Sequence, residues 1–156
     1  LISKIMLAHF ERQKREISEL SIHSEDAIDE MFRLTKYAVQ QLHQLTPKFL
    51  YDLQKYYYSI WLTLQKNYLE FGQKIIGENI KRGQKRGIYR ADINTSIITK
   101  IYVSNIFLLV DEDIFPLKGF DKESLFIEYI KYHIHGIVSK KGIKLLYKKS
   151  NKGVMV

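Results

Sequence analysis

Ile93-Asn94-Thr95-Ser96-Ile97-Ile98-Thr99-Lys100-Ile101-Tyr102-Val103-Ser104-Asn105-Ile106-Phe107-Leu108-Leu109-Val110 is the most apolar stretch of the chain, and Lys100 is its only charged residue. At 100° per residue, Ile98, Ile101, Tyr102, Val103, Ile106, Phe107, Leu108, Leu109 and Val110 surround a helix axis, so the second half of the segment has no polar face. Such a helix needs neighbours on all sides. The uncharged run 101–110 is about half the length that a bilayer requires, so the expected surroundings are protein and not lipid.

A second segment of the same kind lies downstream of a loop, 111–120, that carries Pro116 and Gly119. Asp121 can cap it and Phe120 with Leu125 can staple it, and Leu125, Phe126, Ile127, Tyr129, Ile130, Tyr132, Ile134, Ile137 and Val138 again exceed one face. A chain of 156 residues builds one core of ordinary size. Two over-wide helices are therefore expected to pair, 93–110 and 121–140 packing on a second copy as an isologous four-helix bundle. Ile97, Ile101, Leu108, Leu125, Tyr129, Tyr132 and Gly136 are the candidate interface residues.

Upstream the periodicity is helical throughout. Ile2, Ile5, Met6, His9, Phe10, Gln13, Ile17 and Leu20 share one face of a helix over 1–20. Helical periodicity is already running at Leu1 and no initiator Met is present, so the natural protein is expected to continue upstream. After 21–24, Ser24 can cap a helix whose first turn carries Glu25 and Asp26, with Ile28, Met31, Phe32, Thr35, Val39, Leu42 and Leu45 as its core stripe. Thr46 and Pro47 open a short helix through Lys55. A long central helix follows over 56–86, with Tyr57, Trp61, Leu64, Tyr68, Phe71 and Ile75 on one stripe and Leu62, Leu69, Ile76 and Ile80 on another about 120° away. Gly83 and Gly87 weaken its end, and Asp92 can cap the helix over 93–110. The lysine-rich tail 144–156 reads as a short continuation of helix followed by disorder. The fold class is all-α, in a single domain over 1–156; there is no internal repeat and no strand-period segment.

Chemistry is sparse. Cysteine is absent, which removes disulfides, thiolate nucleophiles and cysteine zinc sites and leans towards an intracellular, cytoplasmic protein. No phosphate loop, nucleophile elbow or HExxH motif occurs, so no enzyme, cofactor or metal is expected. His133 and His135, two positions apart on a helix, point about 200° away from each other and cannot share a metal. His9, His23 and His43 stand alone, and Asp111-Glu112-Asp113 lacks the spacing and glycine of a calcium loop. Lys81, Arg82, Lys85, Arg86 and Arg90 form one basic cluster and 140–152 another, within a formal net charge of +8. Cations favoured at a helix C-terminus explain the first of these. Nucleic-acid binding by either is expected to be electrostatic and nonspecific, since no recognition-helix turn or stacking platform accompanies them.

The stretch Ile76-Gly77-Glu78-Asn79-Ile80-Lys81-Arg82-Gly83-Gln84-Lys85-Arg86-Gly87-Ile88-Tyr89-Arg90-Ala91-Asp92-Ile93 resembles a pattern of the TetR family of transcription regulators. There a long helix ends in two glycines four apart, followed by an aromatic, a basic residue and an aspartate that opens the next helix. Leu1 to Phe10 resembles the family's link helix, Pro47-Lys48-Phe49-Leu50-Tyr51-Asp52-Leu53 its short helix, and His135-Gly136-Ile137-Val138-Ser139-Lys140-Lys141-Gly142 the end of its dimerisation helix. The resemblance covers nearly the whole chain and implies a TetR C-terminal-like helical bundle that dimerises through a four-helix bundle. It implies a ligand-sensing regulator of repressor type, whose link helix, 1–20, sets the separation of two helix-turn-helix domains on operator DNA. The N-terminal helix-turn-helix domain is missing from this sequence, so this segment is not itself expected to read DNA. The expected effector is a small apolar or amphipathic molecule, with Phe32, Phe49, Leu53, Tyr57, Trp61, Leu64, Tyr68, Tyr102 and Ile106 as the candidate cavity. Two other readings remain: a basic helical nucleic-acid-binding module, and a purely structural dimerisation domain with a filled core.

Overall fold

The computed structural model describes residues 1–153, apart from the side chain of Pro47. Among the described residues seven helices follow one another: α1 (Ile2–His23), α2 (Ala27–Gln44), α3 (Pro47–Tyr56), α4 (Tyr58–Lys85), α5 (Thr95–Leu109), α6 (Lys122–Ile137) and α7 (Lys140–Asn151). Among the described residues no strand forms; Tyr89 and Val138 make one isolated antiparallel bridge. No helix there is long and apolar enough to cross a membrane.

α4 is the hub. It packs on α1, α2, α3 and α5, while α2 also packs on α1 and α6. The main core gathers Ile28 and Met31 of α2, Ile76 and Ile80 of α4, Tyr102 and Val103 of α5, Ile130 and Ile134 of α6 and Leu146 of α7. A smaller cluster of Val39, Leu109 and Phe126 closes the other end of α2. Burying each of the aliphatic side chains among these contributes about 2 kcal/mol.

The helix starts follow short polar side chains, though not always those expected. Thr46 Oγ1 accepts from Phe49 N (3.2 Å) and Asp121 Oδ2 from Ser124 N (2.9 Å). At α2, however, the cap is Asp26, whose Oδ1 accepts from Ile28 N (2.9 Å) and Asp29 N (3.0 Å). Ser24 instead donates to Leu20 O (2.6 Å) at the end of α1, so the first turn of α2 carries Asp29 and Glu30 in place of Glu25 and Asp26. At α5 the cap is Asn94, accepting from Ile97 N (3.1 Å), because Asp92 is held in a two-point pair by Arg90 (3.0 and 2.7 Å).

The C-terminal region departs furthest from the sequence reading. α6 ends at Ile137, where Val138 turns extended to bridge Tyr89, and a separate helix begins. Ser139 Oγ caps α7 by accepting from Gly142 N (3.0 Å), and Leu146 is 1% exposed. The segment read as a short continuation of helix followed by disorder is, over 140–151, a separate and docked helix; the expectation for 154–156 lies outside the described residues.

Candidate functional site

The recognisable stretch at the end of α4 is a closed structural joint. Gly87 has φ +71°, a left-handed conformation that costs any L side chain about 1 kcal/mol or more. It ends the helix in a Schellman turn, with Ile88 N donating to Gly83 O (2.8 Å) and Gly87 N to Gln84 O (3.0 Å). The chain then folds back, bringing the Tyr89 ring onto Gly83. The Tyr89 hydroxyl lies 3.0 Å from both Ala27 O and Asn79 Oδ1, its two acceptors. Asn79, fully buried, donates to Ala27 O (2.9 Å) and Glu30 Oε2 (2.7 Å), and Arg82 pairs with the same carboxylate. Burial holds the Tyr89 phenol well above its ordinary pKa, with the Glu30 and Asp26 charges adding to it. α2, α4 and the turn into α5 are thereby locked together by polar groups whose loss would leave buried partners unpaired. Of Asn79, Glu30 and Tyr89 the sequence marks only Tyr89, as the aromatic that follows the two glycines; for Glu30, a carboxylate at the start of an otherwise apolar stripe is the available signal.

The nine candidate cavity residues differ widely in burial. Leu53, Leu64 and Tyr102 are buried, Phe32, Trp61, Tyr68 and Ile106 half-buried, and Phe49 and Tyr57 exposed. Tyr102 is packed in the core: its ring stacks on Tyr129 with centroids 5.2 Å apart and lies 4.2 Å from the ring of His133. Tyr68 belongs to a different cluster. Its ring meets Phe10 of α1 edge-on at 4.8 Å, its hydroxyl donates to Gln13, and burial pushes its pKa up to about 12.

A concave surface lies where α1 crosses α4. A slot of about 210 Å³ is lined by Met6, Leu7, Ile60 and Leu64, with Ser3, Ser59 and Thr63 supplying hydroxyls. Leu64 alone among the nine candidates reaches it. Beside it, a wider groove of about 750 Å³ runs between Phe10, Phe71 and a charged rim that includes Lys14, Arg15, Glu19 and Lys74. Both are walled on one side by α1.

The other candidate set behaves as a unit. On α5, Ile97, Ile101 and Leu108 are 56%, 52% and 45% exposed, on the stripe 97, 101, 104, 108. On α6, which packs against α5, Tyr132 is 79% exposed and Leu125 and Tyr129 half-buried. A Cβ added at Gly136 would meet open space. The α6 stripe 125, 129, 132, 136 repeats the α5 spacing, which keeps side chains on one helical face. Tyr129 is partly engaged, its hydroxyl donating to Tyr102 O (3.0 Å).

The histidines do other work. His133 is buried against Tyr102 and Tyr129; burial lowers its pKa to about 4, and its Nε2 has no hydrogen-bond partner among the described residues. His135 Nδ1 lies 2.7 Å from Lys131 O. In the 111–120 loop, Asp111 accepts from Asp113 N (2.8 Å), while Glu112 accepts from Leu117 N (2.9 Å) and pairs with Lys122. Among the described residues no three His, Cys, Asp or Glu side chains group as a metal site. Comparison with protein-family models, curated proteins and solved structures finds no match to this chain.

Proposed function

We propose that the chain is the ligand-sensing and dimerising part of a TetR-like, cytoplasmic transcription regulator, without catalysis, metal or cofactor. The observation that carries this reading is the exposed apolar stripe of α5, Ile97, Ile101 and Leu108, together with the exposed Tyr132 on the contacting helix α6. Ile97, Ile101 and Leu108 beside Leu125, Tyr129, Tyr132 and the open Gly136 form a self-complementary kind of surface: large side chains next to a gap. A second copy related by a two-fold axis would convert it into a four-helix bundle.

Sensing, in this reading, belongs to the α1–α4 slot and not to the core around Tyr102. A small amphipathic molecule seated against Met6, Leu7, Ile60 and Leu64 touches α1 directly, so it can favour one placement of that helix over another. Operator DNA would be read by a helix-turn-helix preceding α1, as the family resemblance implies.

Mass measurement by light scattering in dilute solution tests the pairing: the parent chain is expected as a dimer and Ile101→Glu/Tyr132→Glu as a monomer with unchanged helicity. A parent that is monomeric at micromolar concentration defeats the proposal. Sensing is tested by a thermal-shift screen of apolar and amphipathic compounds, in which hits should raise the melting temperature by linkage and lose their effect in Leu7→Trp.

A further inference from the structure

We propose that the outward face of α7, with the adjoining end of α4, binds the phosphate backbone of nucleic acid, and that Tyr147 stacks on an exposed base. Lys140, Lys144 and Lys148 stand four residues apart on α7, about 6 Å per step, and Tyr147, 58% exposed, lies between the last two on the same face. Lys141 extends the array to α4, its Nζ donating to Arg86 O (2.9 Å), so that Lys85 and Arg86 continue it. All six cations are exposed, and none has a carboxylate within ion-pairing distance among the described residues. The single lysine of α7 that points inward, Lys149, is the one that is paired, to Asp26 (2.7 Å) and Glu25 (3.3 Å).

The array is rigid. Gly142 sits so close to Ile88 that a Cβ there would lie 2.0 Å from Ile88 O, and Leu146 is in the core, so α7 cannot rotate its lysines away. The same docking argues against a lipid surface as the partner. An interfacial helix needs a free apolar face, and here Ile143, Leu145 and Leu146 are already packed within the protein. What remains outside is a line of cations with one aromatic, which matches phosphates and a base in a strand without demanding a sequence. The inference does not rest on the regulator reading, because it uses neither the α5–α6 face nor the α1 slot.

The test is fluorescence anisotropy of the whole chain with a labelled oligonucleotide of about 20 nucleotides, single-stranded or duplex, between about 50 and 200 mM salt. Replacing Lys140, Lys141, Lys144 and Lys148 by Gln is expected to weaken binding at least tenfold and to flatten the salt slope by about 3. Tyr147→Ala is expected to weaken the single strand about tenfold with its slope unchanged. Circular dichroism and melting of each variant confirm that the fold persists. Absence of binding at the lowest salt overturns the proposal. So does an equal loss when Lys4, Lys36, Lys74 and Lys118 are replaced instead, which would make net charge the cause, or tighter binding to phosphatidylserine vesicles than to either oligonucleotide. A Tyr147→Ala chain that holds the single strand as the parent does overturns the stacking role.

Discussion

The ring of Tyr89 occupies the space that a side chain at residue 83 would need: a Cβ built on Gly83 would lie 2.1 Å from Tyr89 Cδ2. The helix end, the back-turn and the buried hydroxyl contact with Ala27 therefore depend on one missing methyl group. Gly83→Ala is expected to displace the ring, overpacking the joint and leaving the buried Asn79 Oδ1 without its donor, for a loss of about 3 kcal/mol in urea unfolding. Gly87→Ala, which meets only the flexible Lys141 side chain but must hold φ +71°, should cost about 1 kcal/mol. Equal effects at the two glycines would mean that Tyr89 is not fixed as described.

Lys149 ties the last helix to the first turn of α2. Its side chain is 7% exposed and its ammonium is 2.7 Å from Asp26, the residue that caps α2. Burial alone would lower its pKa, but hydrogen bonding and charge from Asp26, then Glu25, outweigh that and hold it above the ordinary lysine value. Lys149→Met keeps the stem and deletes the charge, and should cost about 2 kcal/mol because Asp26 stays in place without its partner. Hydrogen exchange should then speed up in α7 before it does in α4, a pattern that a global loss of stability would not give.

Much of the fold was legible because helix order depends on periodicity and punctuation. The Ile28, Met31, Thr35 and Val39 stripe, the Thr46 and Asp121 caps and the over-wide α5 are direct consequences of local sequence. The misplacements at Ser24 and Asp92 have a common cause: a second short polar residue, Asp26 or Asn94, stood two positions further on, and a near neighbour in the chain, Leu20 O or Arg90, claimed the first. α7 was hidden because Ile143, Leu145 and Leu146 are few among many lysines, and what holds it, Ile88 and Asp26, lies more than 50 residues upstream in the chain. Aromatic residues likewise do not announce whether they line a cavity or fill it. Tyr102 fills, through contacts with Tyr129 and His133 that only the α5–α6 packing creates.

His133 should make the protein acid-sensitive. Burial lowers its pKa to about 4 from the ordinary 6.5, so the native state resists a proton that the unfolded chain accepts. The stability is complete above pH 6.5 and is lost as pH falls towards 4, by up to about 3 kcal/mol. His133→Phe keeps a ring against Tyr102 and removes both the titrating group and the unpartnered Nε2. Its unfolding free energy should therefore vary less between pH 7 and pH 5 than that of the parent. Parallel curves for the two proteins would place the acid sensitivity elsewhere.

At the alkaline end the tyrosines act in the opposite sense. Burial raises the pKa of Tyr89 and Tyr102 above the ordinary 10 and brings Tyr68 and Tyr129 to about 12. Above pH 10 the unfolded chain gives up phenolic protons that the native state retains, so stability is full below that pH and falls beyond it. For the fully buried Tyr89 and Tyr102 the slope is about 1.4 kcal/mol per pH unit each. Ionisation of Tyr89 and Tyr102 should consequently accompany loss of helicity and not precede it.

Gly136 separates the two states of the α5–α6 face. Within one chain a Cβ there would meet nothing, and the residue has ordinary helical backbone near the end of α6. Gly136→Ala should thus stabilise an isolated chain by about 0.5 kcal/mol through helix propensity alone. If α6 packs on its own copy, the same glycine lies where two helices approach, and a larger side chain must push them apart. Gly136→Phe is then expected to shift the mass towards monomer while leaving the helicity unchanged. A Gly136→Phe chain that remains as dimeric as the parent would remove this residue from the contact and move the pairing surface away from the Tyr132 stripe.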